Sequence, residues 1–216
     1  MRLRNGEHGY GVVTKALHWL TVLAILGQFL VGWSMDFDEP FDQQEDQLEA
    51  EADRREEEAE QQGDAAEERV EAENERREDE FDAADDDQAA SVLSDVVTGD
   101  AFRDGLSLPE IHVALGLLII VLALTRMVWR RTTPLPPWAE HLSDGERRLE
   151  GNLEKALLAL LVVTPASGLL LAAAGDDWLP LHVTAQIALL TAIAVHVGLV
   201  LKHTVVRRNR HLARML

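Results

Sequence analysis

Residues 181–203, LHVTAQIALLTAIAVHVGLVLKH, decide the fold of this chain. The stretch is long and apolar enough to cross a bilayer as one α-helix. It carries His182 and His196, 14 positions apart, and ends at His203. At about 100° per residue, 14 steps return a side chain to within roughly 40° of its starting direction. At about 1.5 Å per residue, they separate the two imidazoles by about 21 Å. One face of one membrane helix therefore offers two nitrogen ligands, one near each leaflet. Hydrogen-bonded core histidines are the alternative.

The charge pattern divides the chain into a membrane body and an acidic insertion. The 216 residues are 47% hydrophobic, yet the net charge is −18. Residues 36–104 hold 29 acidic and 6 basic side chains, and the rest of the chain is net basic. We predict a lead and first membrane helix in 1–35, the insertion in 36–107, and the other membrane helices with a basic tail in 108–216. The first and last parts form one membrane domain.

Four apolar stretches predict an all-α, integral-membrane four-helix bundle. They cover residues 16–35, 111–129, 156–174 and 181–206, and each is about long enough to span the hydrocarbon core. The proline-rich connector 132–151 cannot cross a bilayer. Arginine and lysine concentrate before the first stretch, in the connector and after the fourth. By the positive-inside rule, both termini are cytoplasmic in a multi-pass bacterial inner-membrane protein.

The acidic insertion then lies outside the membrane. Its apolar positions are sparse and mostly alanine, so no amphipathic face can be traced, although many Glu–Arg pairs at helical spacing are possible. We expect an extracytoplasmic arm that is disordered or partly helical, without a core of its own. It could dock a basic partner, or it could be a solvating loop adapted to high salt. The 3 lysines against 17 arginines favour a halophilic source.

Histidines at matching depths form two pairs. The direction of each helix places His18 and His196 near the cytoplasm, and His112 and His182 near the outer side. Two imidazoles that face each other across a bundle are typical of a non-covalent bis-histidine haem b, whose saturated iron carries electrons. The chain has no cysteine, which excludes thiolate-held iron–sulfur clusters and covalent haem attachment, and zinc prefers four ligands. His18 taken alone could equally be an interfacial residue.

Arg126 lies 14 residues after His112, on the same stripe of the second helix. It is the group that a haem propionate would pair with. A membrane arginine near a helix end can also extend to the interface without a ligand.

Several motifs resemble the prokaryotic cytochrome b561 family. They are ALHWL at 16–20, IHVALG at 111–116 followed by Arg126, and LHVTAQ and AVHVGLVLKH in the fourth helix. The resemblance implies a dihaem four-helix protein with His18, His112, His182 and His196 as the axial ligands. It also implies quinone chemistry, because the best-described members are similar to superoxide:quinone oxidoreductases. The long acidic insertion departs from the much shorter loop of such proteins.

These features lead to one function and one alternative. We expect an oxidoreductase that passes electrons from an extracytoplasmic donor, superoxide by resemblance, to membrane quinone through two haem b groups. The alternative is a non-catalytic, haem-bearing anchor or relay for a partner dehydrogenase or hydrogenase. A transporter would need more polar residues within the spans than Gln28 and Gln186. Lipid is the expected surrounding, and no nucleic-acid partner is predicted.

His203 is predicted to lie in the quinone site with Lys202. It follows His196 by 7 residues, which places it about 10 Å closer to the cytoplasm and out of reach of the same iron. Lys202 and Arg207 make its surroundings cationic, which suits a reduced quinone oxygen. The alternative is a juxtamembrane histidine without a role.

Overall fold

The computed structural model describes residues 3–6, 9–38, 40–136 and 143–206. The predicted basic tail from Arg207 onwards lies outside these ranges, as do residues 137–142 of the connector. The helices are α1 (Val12–Asp38), α2 (Pro40–Glu60), α3 (Asp64–Thr98), α4 (Ala101–Asp104), α5 (Leu108–Thr132), α6 (Asp144–Ala174) and α7 (Leu179–Leu201), with a 3₁₀ turn at Asp176–Trp178 and a π-helical turn at Lys202–Val206.

Four helices in the described ranges are long and apolar enough to cross a membrane. They are α1, α5, α6 and α7, the last together with the turns on either side of it. Large apolar side chains also point outward, since Leu23, Leu30 and Ile187 are each 60% exposed or more. A soluble bundle would present polar residues there, whereas lipid accepts an apolar exterior. The predicted all-α membrane bundle is confirmed.

Helix α6 begins earlier than the sequence pattern predicts. The third apolar stretch was expected from residue 156, but the helix starts at Asp144. Ser143 and Glu146 form a capping box, in which each side chain accepts a hydrogen bond from the other residue's backbone N–H, at 3.3 and 3.2 Å. This arrangement satisfies two N–H groups that the first turn leaves unpaired. The extension carries Glu150 and Glu154 to the end of the bundle where α1 begins.

The four long helices pack in chain order around a small core. Helix α1 packs on α5, α5 on α6, and α6 on α7. Side chains that the neighbouring helices bury include Ala24, Ile119, Leu122, Ala123, Leu161 and Leu189. Among the described residues, any backbone contact between α1 and α7 is sparser than the contacts of the three neighbouring helix pairs. The open side of the bundle therefore lies between the helices that carry His18 and His196.

The acidic insertion is a helical hairpin that rests on the bundle. Helices α2 and α3 pack together around Gly63, whose φ of 99° suits a residue without a side chain. Asn74 Nδ2 donates to Glu56 Oε1 at 3.1 Å and ties the two helices. Of the two states that the sequence left open, the described part of the insertion has the helical one. It is not a detached arm, because α3 packs on α5 and α6.

Candidate functional site

His18 and His196 face each other across the open side of the bundle and are called the terminal pair below. Their ring centroids are 6.5 Å apart, with 61° between the ring planes. Imidazole nitrogens bind first-row metals at about 2 Å, so two rings on opposite sides of one iron have centroids about 6 Å apart. The spacing thus matches a single metal centre between α1 and α7. The structure brings this predicted pair together, and its role in ligation stays a prediction.

His182 belongs to the second pair and is held in a defined orientation. Its Nδ1 lies 3.1 Å from the Thr164 carbonyl oxygen and 3.1 Å from Ser167 Oγ. A carbonyl can only accept a hydrogen bond, so Nδ1 carries the proton and donates it. Thr164 also ties α6 to α7, because its hydroxyl donates to the Ala185 carbonyl at 3.2 Å. Nε2 of His182 therefore keeps its lone pair for a metal, in the arrangement usual for ligating histidines.

His112 is the predicted partner of His182, and these two are called the insertion-side pair. They are near enough to interact electrostatically. The side-chain amide of Gln28 on α1 donates to Nε2 of His112 at 2.8 Å, so the proton of this imidazole is on Nδ1. That nitrogen is buried and has no hydrogen-bond partner in the described part of the chain. A lone pair cannot accept a hydrogen bond and bind iron at once, so ligation by His112 requires Gln28 to turn away.

The donor set fits haem iron better than a structural metal ion. Among the described residues, no three His, Asp or Glu side chains converge as a metal site needs. Zinc in proteins almost always takes four ligands, whereas a bis-histidine haem needs only two imidazoles from the protein. The separation of the His18 and His196 rings and the free Nε2 of His182 suit that need, and His112 suits it once its hydrogen bond to Gln28 is released.

Arg126 lines a small pocket near the beginning of α1. Thr14, Trp129, Thr133 and Glu154 also line it. The indole N–H of Trp129 donates to Thr14 Oγ1 at 3.0 Å, which joins α5 to α1. Arg126 is half-buried and close enough to both His18 and Glu154 to interact with them electrostatically. Arg126 thus lies near the terminal pair, and its pairing with a haem propionate stays a prediction.

His203 and Lys202 both have acidic partners, which the sequence did not predict. His203 Nε2 lies 3.1 Å from Glu150 Oε1, and the histidine side chain is 1% exposed. Lys202 Nζ lies 3.3 Å from Glu146 Oε1. The surroundings are therefore less cationic than expected, while Arg207 lies beyond the described residues. The cause is the early start of α6, whose added turns supply both glutamates.

Comparison with known proteins gives one finding. The family model described as prokaryotic cytochrome b561 matches residues 9–216, nearly the whole chain. No curated protein and no solved structure matches. The four membrane-spanning helices and the facing histidines agree with a membrane haem b electron-transfer protein of the bacterial inner membrane. The chain belongs to the prokaryotic cytochrome b561 family.

Proposed function

We propose that this protein binds two haem b groups and passes electrons from an extracytoplasmic donor, superoxide, to membrane quinone. The observation that carries the proposal is the 6.5 Å separation of the His18 and His196 rings. The two histidines come from different helices and frame the open side of the bundle. His18 with His196, and His112 with His182, would hold the two haems, which when bound would supply one-electron chemistry. His182 of the insertion-side pair lies 14 residues before His196 on α7. This separation supports a second centre at the insertion-side pair.

The test is the number of haems per chain. Pyridine haemochrome spectra of the purified protein should give two haem b per chain. Replacement of His18 or His196 by alanine should remove one haem, and replacement of His112 or His182 should remove the other. A wild-type value of one haem per chain contradicts the two-site proposal. Trp19, whose ring meets His18 edge-on at 5.5 Å, offers a control variant, Trp19→Phe, that should retain both haems.

Basic residues support an orientation with the terminal pair on the cytoplasmic side. Lys15 precedes the apolar part of α1, and Arg130 and Arg131 lie in the last turn of α5. These ends share one side of the membrane, which the positive-inside rule assigns to the cytoplasm. The acidic hairpin then faces outward, beside the insertion-side pair. Protease digestion of the hairpin in intact cells, compared with inverted vesicles, tests this orientation.

Quinone reduction is assigned to the cytoplasmic end of α7. Lys202 is about half exposed, with 48% of its side chain accessible, so its ammonium group can donate to a quinone oxygen. His203 is the next residue, and its Nε2 lies 3.1 Å from the Glu150 carboxylate. The neighbouring ion pair of Lys202 with Glu146 orients the ammonium group. Lys202 therefore contacts the substrate, and the His203 and Glu150 side chains lie beside it in the site. Reduction of the quinone to the quinol takes two electrons, supplied by two superoxide anions that leave as two O2, and two protons taken up from the cytoplasm.

One observation favours a second candidate function. The acidic hairpin packs against α5 and α6, with the Asp86 carboxylate against Gly175 at the end of α6, so part of its charge is held at that end of the bundle. A basic partner dehydrogenase or hydrogenase could dock there and deliver electrons to a non-catalytic relay. Reduction of a soluble quinone by the purified chain, with superoxide as the only donor, separates the two functions. The relay would show no turnover without its partner.

A further inference from the structure

Each histidine of the insertion-side pair lies against a glycine of a neighbouring helix. A Cβ built on Gly32 of α1 would lie 3.3 Å from Cε1 and 3.5 Å from Nδ1 of His112. A Cβ built on Gly168 of α6 would lie 2.9 Å from Cε1 and 3.2 Å from Nδ1 of His182. Separations under 3.0 Å are essentially never seen for a real Cβ atom. The His182 ring therefore occupies space that a side chain at position 168 would need, whereas a side chain at position 32 would displace the His112 ring by only a few tenths of an ångström.

The His182 ring is also hydrogen-bonded, because its Nδ1 donates to the Thr164 carbonyl. A hydrogen bond limits the rotation of a ring about its Cβ–Cγ bond, and the glycine beside it leaves room for the ring in that orientation. The combination holds the His182 imidazole in one plane. The His112 imidazole keeps only its contact with Gly32 once Gln28 has turned away for ligation.

The terminal pair has no such contact with the glycines of the apolar helix segments. For Gly27, Gly32, Gly116, Gly168 and Gly198, the atoms nearest to a built Cβ include none of His18 or His196. Gly198 follows His196 by two residues on α7, yet a Cβ there meets nothing within 4 Å. Among these five glycines, Gly32 and Gly168 alone lie against a histidine of either pair.

We propose that Gly32 and Gly168 are positioning residues that set the ring planes of His112 and His182 for ligation of the insertion-side haem. The inference rests on the proposed function, which makes these histidines axial ligands. Residues that orient metal-binding histidines control both the affinity and the electronic properties of the centre. The two glycines act on the haem only through the imidazoles.

The distances predict an order among four alanine variants. Gly168→Ala, at 2.9 Å, should disturb its histidine more than Gly32→Ala, at 3.3 Å. Gly27→Ala is the control on α1, because its Cβ would meet only the side chain of Leu115 at an ordinary 3.5 Å. Gly198→Ala is the control on α7. Alanine has the higher helix propensity in all four cases, so a selective defect cannot come from a weakened helix.

The experiment uses the full chain, purified with haem in detergent. The readouts are haem content per chain, hemin affinity, and the electron paramagnetic resonance spectrum of the oxidised protein, which is sensitive to the angle between the axial imidazole planes. His112→Ala provides the reference spectrum of the terminal centre. Gly168→Ala should shift the insertion-side signal and weaken hemin binding at that site by roughly 10- to 100-fold, the range for residues that orient metal ligands. Gly32→Ala should show a smaller change of the same kind.

Three results would overturn the inference. The first is a wild-type spectrum and hemin affinity in both Gly168→Ala and Gly32→Ala. The second is an equal change at the terminal centre, and the third is an equal change in Gly27→Ala and Gly198→Ala. If Gly168→Ala does not fold, the milder variant Gly32→Ala tests the inference. An unchanged signal of the terminal centre in Gly32→Ala then shows that its bundle is intact. Failure of the proposed function would look different, because the wild-type protein would then lack the second haem.

Discussion

The contact of Gln28 with His112 predicts whether replacing Gln28 strengthens or weakens hemin binding. Its amide nitrogen lies 2.8 Å from Nε2 of His112 and so competes with iron for the lone pair. Replacement by leucine removes the competing hydrogen bond, whose net contribution is about 1 kcal/mol. Hemin should therefore bind the insertion-side site about fivefold more tightly in Gln28→Leu. The haem-free protein should lose stability, since His112 would then have both ring nitrogens buried without partners.

The assay is a hemin titration of protein expressed without haem, followed by absorbance. Gln186→Leu is the matched control, because Gln186 is a partly buried glutamine of α7 and has no hydrogen bond to His112 within the described part of the chain. If Gln28 instead supported the ligand, as residues around metal ligands commonly do, affinity would fall by roughly 10- to 100-fold. Weaker binding in Gln28→Leu would thus refute the reasoning, and so would unchanged binding.

Three further predictions concern other parts of the molecule. In His203→Ala, haem content should stay at the wild-type level while quinone reduction slows. Glu150→Gln should slow quinone reduction similarly, because Glu150 contacts His203. Loss of terminal-pair absorbance in His203→Ala would instead mark His203 as a ligand. Replacement of hairpin residues 50–77 by a short Gly/Ser turn should leave both haems bound, since the four-helix core contains none of those residues; haem loss would show that the distal hairpin supports the bundle. Ala123→Leu should lower the thermal midpoint, because Ala123 is fully buried and overpacking destabilises by about 1–3 kcal/mol; an unchanged midpoint would mean that the core repacks freely.

The main features of the bundle could be predicted from the sequence because they depend on periodicity. The 14-residue spacing of His182 and His196, together with the helix directions, predicts which histidines lie at the same depth. The structure places His18 against His196 accordingly. Helical geometry is regular enough for such reasoning along a single segment.

Contacts between helices could not be predicted in the same way. Sequence periodicity does not specify how far one helix is offset along its axis from the helix packed against it. That offset determines which side chains lie against Gly32, Gly168 and Gln28. The start of α6 is a different case, because Ser143 and Glu146 have the spacing of a capping box. That signal was readable, but the proline-rich connector before it favoured a later start.

Hairpin formation in the insertion depends on side chains that lie far apart in the sequence. The helix propensity of its Glu, Ala and Arg residues was evident, while like-charge runs argued against a stable helix. Arg55 lies within 4 Å of carboxylates of both Glu51 and Glu73, so it offsets repulsion between α2 and α3. Such cross-helix pairs become available only once the chain turns at Gly63.

The charges around the two pairs predict the direction of electron flow. Arg126 interacts electrostatically with His18, and a nearby positive charge stabilises a centre that has gained an electron. His182 donates from Nδ1 to a carbonyl, which makes its other nitrogen a stronger donor and favours the oxidised centre. We therefore expect the terminal centre to have the higher reduction potential, so that electrons move from the insertion side toward Lys202 and His203. A potentiometric titration should show two steps, and Arg126→Gln should lower only the upper one. Arg131→Gln, which removes an exposed charge from the same helix, should leave both unchanged. An equal change of both reduction potentials in Arg126→Gln would refute this assignment, because the Arg126 charge would then affect both centres and not the terminal centre alone.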